Sequence, residues 1–141
     1  MMFLRTLGRM LGGLMTTCWL VSLAFAAGDQ ASTPQVKASL IASHLAVSPG
    51  KPIVLSVRLE IAPHWHTYWR NPGDSGTVTT IDWSFSQPVT AGDIEWPLPD
   101  RFRMGPIVNY GYANQVTLPT QINVPKHLTP GQPLHVQAVV D

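Results

Sequence analysis

Between Pro52 and Ala62 the apolar residues Ile53, Leu55, Val57, Leu59 and Ile61 alternate with Val54, Ser56, Arg58 and Glu60. A period of two belongs to a β-strand with one buried face. A second alternation sets Val116, Leu118, Ile122 and Val124 against Gln115, Thr117, Gln121 and Asn123. Pro119 falls within it and points to an edge strand or a bulge, because proline cannot donate to a ladder. Shorter strand candidates run from Val36 to Val47, His66 to Trp69, Thr79 to Phe85, Ile94 to Trp96 and Leu134 to Val140. Turn residues separate them at Ser48-Pro49-Gly50, Asn71-Pro72-Gly73-Asp74, Ala91-Gly92-Asp93 and Thr129-Pro130-Gly131. The 13 prolines leave no long stretch with a helical period. The pattern predicts an all-β fold, an immunoglobulin-like β-sandwich of about seven short strands. Pro97 to Tyr112 reads as one long connection without secondary structure of its own, and such loops are usually functional or mobile.

The two ends change the picture. Arg5 and Arg9 precede an apolar stretch from Leu11 to Phe25, and Ala24-Phe25-Ala26 supplies the small residues of a cleavage site. Residues 1–26 are therefore expected to be a signal peptide removed on export. Gly12, Gly13, Thr16 and Thr17 interrupt the apolar core, which falls short of the roughly 20 apolar residues of a membrane span. A flexible lead-in is expected over residues 27–35, followed by one domain over residues 36–141. Cys18, the single cysteine, lies in the leader, so the mature chain carries no thiol for a disulfide or for redox chemistry. The whole chain has 9 Lys and Arg against 8 Asp and Glu, and Arg5 and Arg9 leave with the leader. No basic patch remains to bind nucleic acid. At the other end Leu134 to Asp141 is apolar and β-branched and stops without a turn signal. It reads equally as a final edge strand and as a domain cut short.

Chemistry concentrates in Pro63 to Gly76, where Trp65, His66, Tyr68 and Trp69 run directly into a turn of Asn, Pro, Gly, Asp and Ser. Aromatic rings carry much of the binding energy at interfaces, and they also dominate cores. Two readings stand side by side: the rings fill the sandwich and residues 71–76 merely turn the chain, or the outward rings form a binding surface. His64 and His66, two apart on a strand, could offer imidazole nitrogens to copper or zinc, but two ligands do not make a site. His44, His127 and His135 are scattered. No phosphate loop, paired catalytic carboxylates or Ser/His/Asp spacing is present, so no catalytic residue and no cofactor is assigned.

Trp65-His66-Thr67-Tyr68-Trp69-Arg70-Asn71-Pro72-Gly73-Asp74-Ser75-Gly76, then Trp96-Pro97-Leu98-Pro99, Tyr110-Gly111-Tyr112 and Leu118-Pro119, resemble the N-terminal domain of the DsbD/ScsB group of bacterial thiol:disulfide interchange proteins. The resemblance spans about Val36 to the end. It implies an immunoglobulin-like periplasmic domain, joined in full-length relatives to a membrane electron-transfer domain and a thioredoxin-like domain. Reducing equivalents pass outward in that family, and the ScsB branch is associated with copper tolerance. A redox cysteine pair follows, in those relatives, a strand resembling Leu134 to Val140, and this chain stops at Asp141. The resemblance further implies a docking or lid surface built from His66, Tyr68, Trp69, Asn71, Asp74, Ser75, Tyr110 and Tyr112, and thioredoxin-like partners. A stand-alone periplasmic docking module and a copper-binding module are the alternatives. His64 stands where the family has glycine.

Overall fold

A computed structural model describes residues 30–129 and 131–141, together with the backbone of 2–5 and 21–22. Most of the expected leader, with Cys18, and Pro130 of one expected turn lie outside the described residues. The described strands are β1 (Met2–Arg5), β2 (Val21–Ser22), β3 (Gln30–Ser32), β4 (Val36–Ala42), β5 (Ala46–Val47), β6 (Ile53–Ile61) and β7 (Thr67–Gly73). They continue with β8 (Ile81–Phe85), β9 (Thr90–Ile94), β10 (Asp100–Met104), β11 (Ile107–Tyr112), β12 (Gln115–Asn123) and β13 (Val136–Val140). No helix occurs among the described residues, and the fold is all-β.

The alternation in β6 is realised as burial. Ile53, Leu55, Val57, Leu59 and Ile61 are buried, whereas Glu60 is exposed. β6 lies in the middle of an antiparallel five-stranded sheet of order β3-β4-β6-β12-β9. β12 pairs with it from Gln115↔Glu60 to Ile122↔Ile53, which sets Leu118 beside Val57 and Val116 beside Leu59 on one face. Both alternations thus bury the same side of the sheet. Against that face packs β13, whose Ala138 and Val140 join Val57, Leu59, Ile61 and Leu118 in one core cluster. Ile81 and Trp83 of β8, the neighbour of β13, close over it. A second cluster at the opposite end gathers Leu55, Ile122, Leu128, Leu134 and Val136. A further three-stranded sheet, β10-β11-β7, carries the aromatic motif, and Trp69 and Tyr112 tie it to the first cluster.

Several local expectations are corrected by tertiary pairing. Ala91-Gly92-Asp93 does not turn the chain but lies within β9, whose Ala91 pairs with Ile122; the ladder outweighs the turn preference. Of the two alternatives that Pro119 raised, an edge or a bulge, the second is realised, because β12 is an interior strand with an irregular register beside the proline. Pro119 is accommodated next to a register shift between Thr120 and Ile122, and its carbonyl accepts the Glu95 amide at 2.8 Å. Val36 to Val47 is broken after Ala42, where Ser43 turns its amide to the Val54 carbonyl. The candidates at Thr79 and Ile94 shift, the first strand beginning at Ile81 and the second ending at Ile94. Within the expected lead-in, Gln30–Ser32 pairs with Lys37 to Ser39. The long connection from Pro97 to Tyr112 is chiefly a hairpin, β10 and β11, turning at Gly105-Pro106.

Because Leu59 is only 1% exposed, packed with Ala138 and Val140 of β13 across the core and beside Val116 of β12 in its own sheet, Leu59→Ala is expected to lower stability by about 2–5 kcal/mol in urea unfolding. Glu60→Ala, next to it on the solvent face, should change stability by less than about 0.5 kcal/mol.

Candidate functional site

β7 begins with the aromatic run and extends further than a strand ending at Trp69 would. It continues through Arg70-Asn71-Pro72-Gly73, because β11 offers Gly111 opposite Tyr68, Tyr112 opposite Thr67 and Asn109 opposite Gly73. A register shift between Asn109 and Gly111 lets the two strands meet at both ends. Gly111 is required there, since a Cβ would collide with the Thr67 carbonyl.

Past Gly73 the chain folds back and is fastened to β11 on both sides of one peptide. Asp74 donates its amide to the Val108 carbonyl at 2.9 Å, and its carboxylate accepts the Val108 amide at 2.8 Å. One residue on, the Ser75 amide donates to Asn109 Oδ1 at 3.1 Å, and Asn109 Nδ2 donates to Ser75 Oγ at 3.0 Å. Asn109 has no exposed surface. Its amide therefore depends on Ser75 for its pairing, and Ser75 is held in place by it. Asn71 Oδ1 accepts the Gly73 amide at 3.3 Å and closes the turn from within. Gly76 then presses against the ring of Tyr68; its φ of 91° and the lack of a Cβ both permit this approach.

The rings divide between two roles. On one side His66 stacks on Phe102 of β10 with centroids 4.8 Å apart, and Tyr68 meets His66 edge-on at 5.0 Å. These three rings are half-buried. The His66 Nε2 is buried without a partner. On the other side Trp69 packs against the core cluster with the Arg70 guanidinium 4.9 Å above its ring. Tyr112 is buried in that cluster and donates its hydroxyl to the Pro97 carbonyl at 2.8 Å. Burial pushes the Tyr112 phenol up from 10.0 to about 12. Tyr110 is half-buried opposite Arg101.

Of the residues the sequence singled out, the structure brings His66, Tyr68, Asn71, Asp74 and Ser75 into one assembly. It sends Trp69 and Tyr112 to the core side. Asn109 and Phe102, which complete the assembly, were not singled out as site residues. A polar residue between Val108 and Tyr110 in a strand was the available signal for Asn109. His64 adopts φ 69°, in the left-handed region that glycine occupies freely. Among the described residues no three His, Cys, Asp or Glu side chains gather to hold a metal ion.

An antiparallel β-sandwich with an aromatic strand clamped to its neighbour hairpin defines the class of domain. The chain belongs to the family described as thiol:disulfide interchange protein DsbD, N-terminal, whose model matches residues 34–140. Among solved structures it is similar to the N-terminal periplasmic domain of ScsB from Proteus mirabilis, with 22% identity and a TM-score of 0.55. That match covers 79% of this chain and 48% of the ScsB chain, so this chain spans about half of that relative's length. No curated protein sequence matches the chain.

Asn109→Ala should unpair Ser75 and cost about 1–3 kcal/mol of stability, with faster amide exchange at Ser75 as the local readout. Tyr112→Phe tests the buried phenol. A raised folded-state value favours the protonated form, so this contribution is intact below pH 10 and is lost as pH rises towards 12. Alkaline unfolding of the wild type should steepen over that range, and the Phe variant should flatten there.

Proposed function

We propose that this chain is the N-terminal module of a periplasmic thiol:disulfide interchange system, and that the face around His66, Tyr68 and Phe102 is its docking or lid surface. The observation that carries this reading is the double fastening of residues 74–75 to Val108 and Asn109 beside three half-buried rings. A simple turn needs one hydrogen bond to close. Here a buried amide and a carboxylate hold the loop in register with a second strand, which gives the rings a fixed platform rather than a mobile one.

The chain's single thiol is Cys18, within the expected leader, so the reactive cysteines of such a system would be supplied by other segments or partners. The redox cysteine pair of the relatives would lie beyond β13, in a longer polypeptide. The partners in this reading are a membrane electron-transfer domain and thioredoxin-like periplasmic proteins. The module's part is to recognise and shield, through aromatic area with little side-chain entropy to lose. A link to copper tolerance would follow from the system as a whole, since His64 and His66 gather no third donor among the described residues.

Binding of the full chain to a thioredoxin-like periplasmic protein with its resolving cysteine replaced tests this, by titration calorimetry. His66→Ala and Phe102→Ala should each weaken binding at least about tenfold, a loss of about 1.4 kcal/mol, while leaving the circular dichroism unchanged. Equal affinity in wild type and both variants would remove the docking role from this face.

A further inference from the structure

Leu45, Trp65 and Leu98 are exposed apolar side chains on three different connections, and a lone residue of this kind is ordinary. Met104 and Ile107 are different. They are the register pair that closes the β10-β11 hairpin, and they are 51% and 38% exposed. Gly105 and Pro106 between them are exposed too. A Cβ placed on Gly105 would meet nothing within 4 Å, so the tip stands clear of the rest of the domain. Its base is nevertheless firmly held. Val108, the residue after Ile107, is bound through both its amide and its carbonyl to Asp74, which keeps the apolar pair pointing outward.

The charge behind the tip has an order. Arg103 pairs with Val108 one step back, and Arg101 pairs with Tyr110 three residues from Met104, about 10 Å along a strand. Both arginines are exposed, as is Arg70 on β7 of the same sheet. Three of the four arginines between residues 30 and 141 thus lie on this one small sheet. None of the three forms an ion pair among the described residues, and Arg70 lies over the Trp69 ring. Two carboxylates share the sheet and its turn. Asp74 is occupied by the Val108 amide, and Asp100 begins β10 at the end away from the tip.

An apolar end, then arginine, then arginine beside tyrosine is the order of chemistry met on leaving a lipid core: acyl chains, phosphates, polar interface. A protein partner would need a pocket shaped to a knob two side chains wide, whereas a fluid lipid surface closes around a convex tip. We propose that the Met104-Ile107 tip seats in the surface of an anionic lipid bilayer, with Arg101 and Arg103 against lipid phosphates. The hairpin enters end-on. Successive residues of β10 alternate in direction, so the two arginines face away from Phe102, which keeps its stack on His66. Two apolar side chains bury little area, so attachment needs the arginines as well and is reversible. This contact is separate from partner docking at the His66 face and does not require it.

The test uses the full chain with Cys18→Ser and Pro106→Cys, labelled at residue 106 with the environment-sensitive dye nitrobenzoxadiazole. A second full chain with Cys18→Ser and Asp93→Cys carries the same dye on β9 and controls for lipid contact elsewhere, the expected leader included. The vesicles are phosphatidylcholine alone or an equal mixture of phosphatidylcholine and phosphatidylglycerol. On the mixed vesicles the dye at 106 should brighten and shift to the blue, and the dye at 93 should not. Met104→Ser with Ile107→Ser should abolish the shift. Arg101→Gln with Arg103→Gln should raise the lipid concentration at half-shift at least about tenfold, and so should omitting phosphatidylglycerol. Circular dichroism should be the same for all of these chains. An unshifted dye at 106, an equal shift at 93, or a shift that survives the serine pair would each overturn the proposal. Indifference to the arginine pair or to phosphatidylglycerol would overturn it equally. A shift on adding a thioredoxin-like periplasmic protein, with none on vesicles, would make the tip a protein contact instead. Partner binding at the His66 face is decided by its own calorimetric measurement, whichever way the vesicles answer.

Discussion

A side-chain amide without exposed surface cannot leave its donor and acceptor unpaired, and the arrangement around β7 follows from that constraint at Asn109. Its partners are the amide and hydroxyl of Ser75, 34 residues earlier in the chain. Satisfying Asn109 fixes Ser75, and fixing Ser75 places Asp74 against the Val108 amide and carbonyl. Gly76 is then brought onto the Tyr68 ring, and Tyr68 onto His66. The hairpin β10-β11 contributes Asn109 from one strand and Phe102 from the other. The clamp and the ring stack are thus two faces of a single local pairing.

That pairing matters because the sheet carrying it is peripheral to the main sandwich. The five-stranded sheet and the β13-β8 pair hold the principal core through Val57, Leu59, Leu118 and Ala138. The β10-β11-β7 sheet joins this core through Trp69 and Tyr112, and otherwise depends on its own polar contacts. Function placed on such a subsidiary sheet can vary without disturbing the core beneath it. The same division explains why the aromatic motif serves both readings offered by its composition. Trp69 belongs to the core, while His66 and Tyr68 belong to the platform, because successive residues of a strand face opposite ways.

The strands β6 and β12 were legible in the chain because each has one buried face and its period of two survives into burial. The all-β class and the location of the aromatic motif were legible for the same reason, together with the prolines. Local sequence misleads at Ala91-Gly92-Asp93 and in the segment after Pro97, where turn chemistry competes with a ladder partner far away in sequence. The sequence by itself determined which residues prefer strands, which faces are apolar and which family's motifs are present. Only the tertiary structure decided that Asn109 reaches Ser75 and that Phe102 stacks on His66. Those contacts join residues 34 or more positions apart, and no local periodicity encodes the register at which distant strands meet.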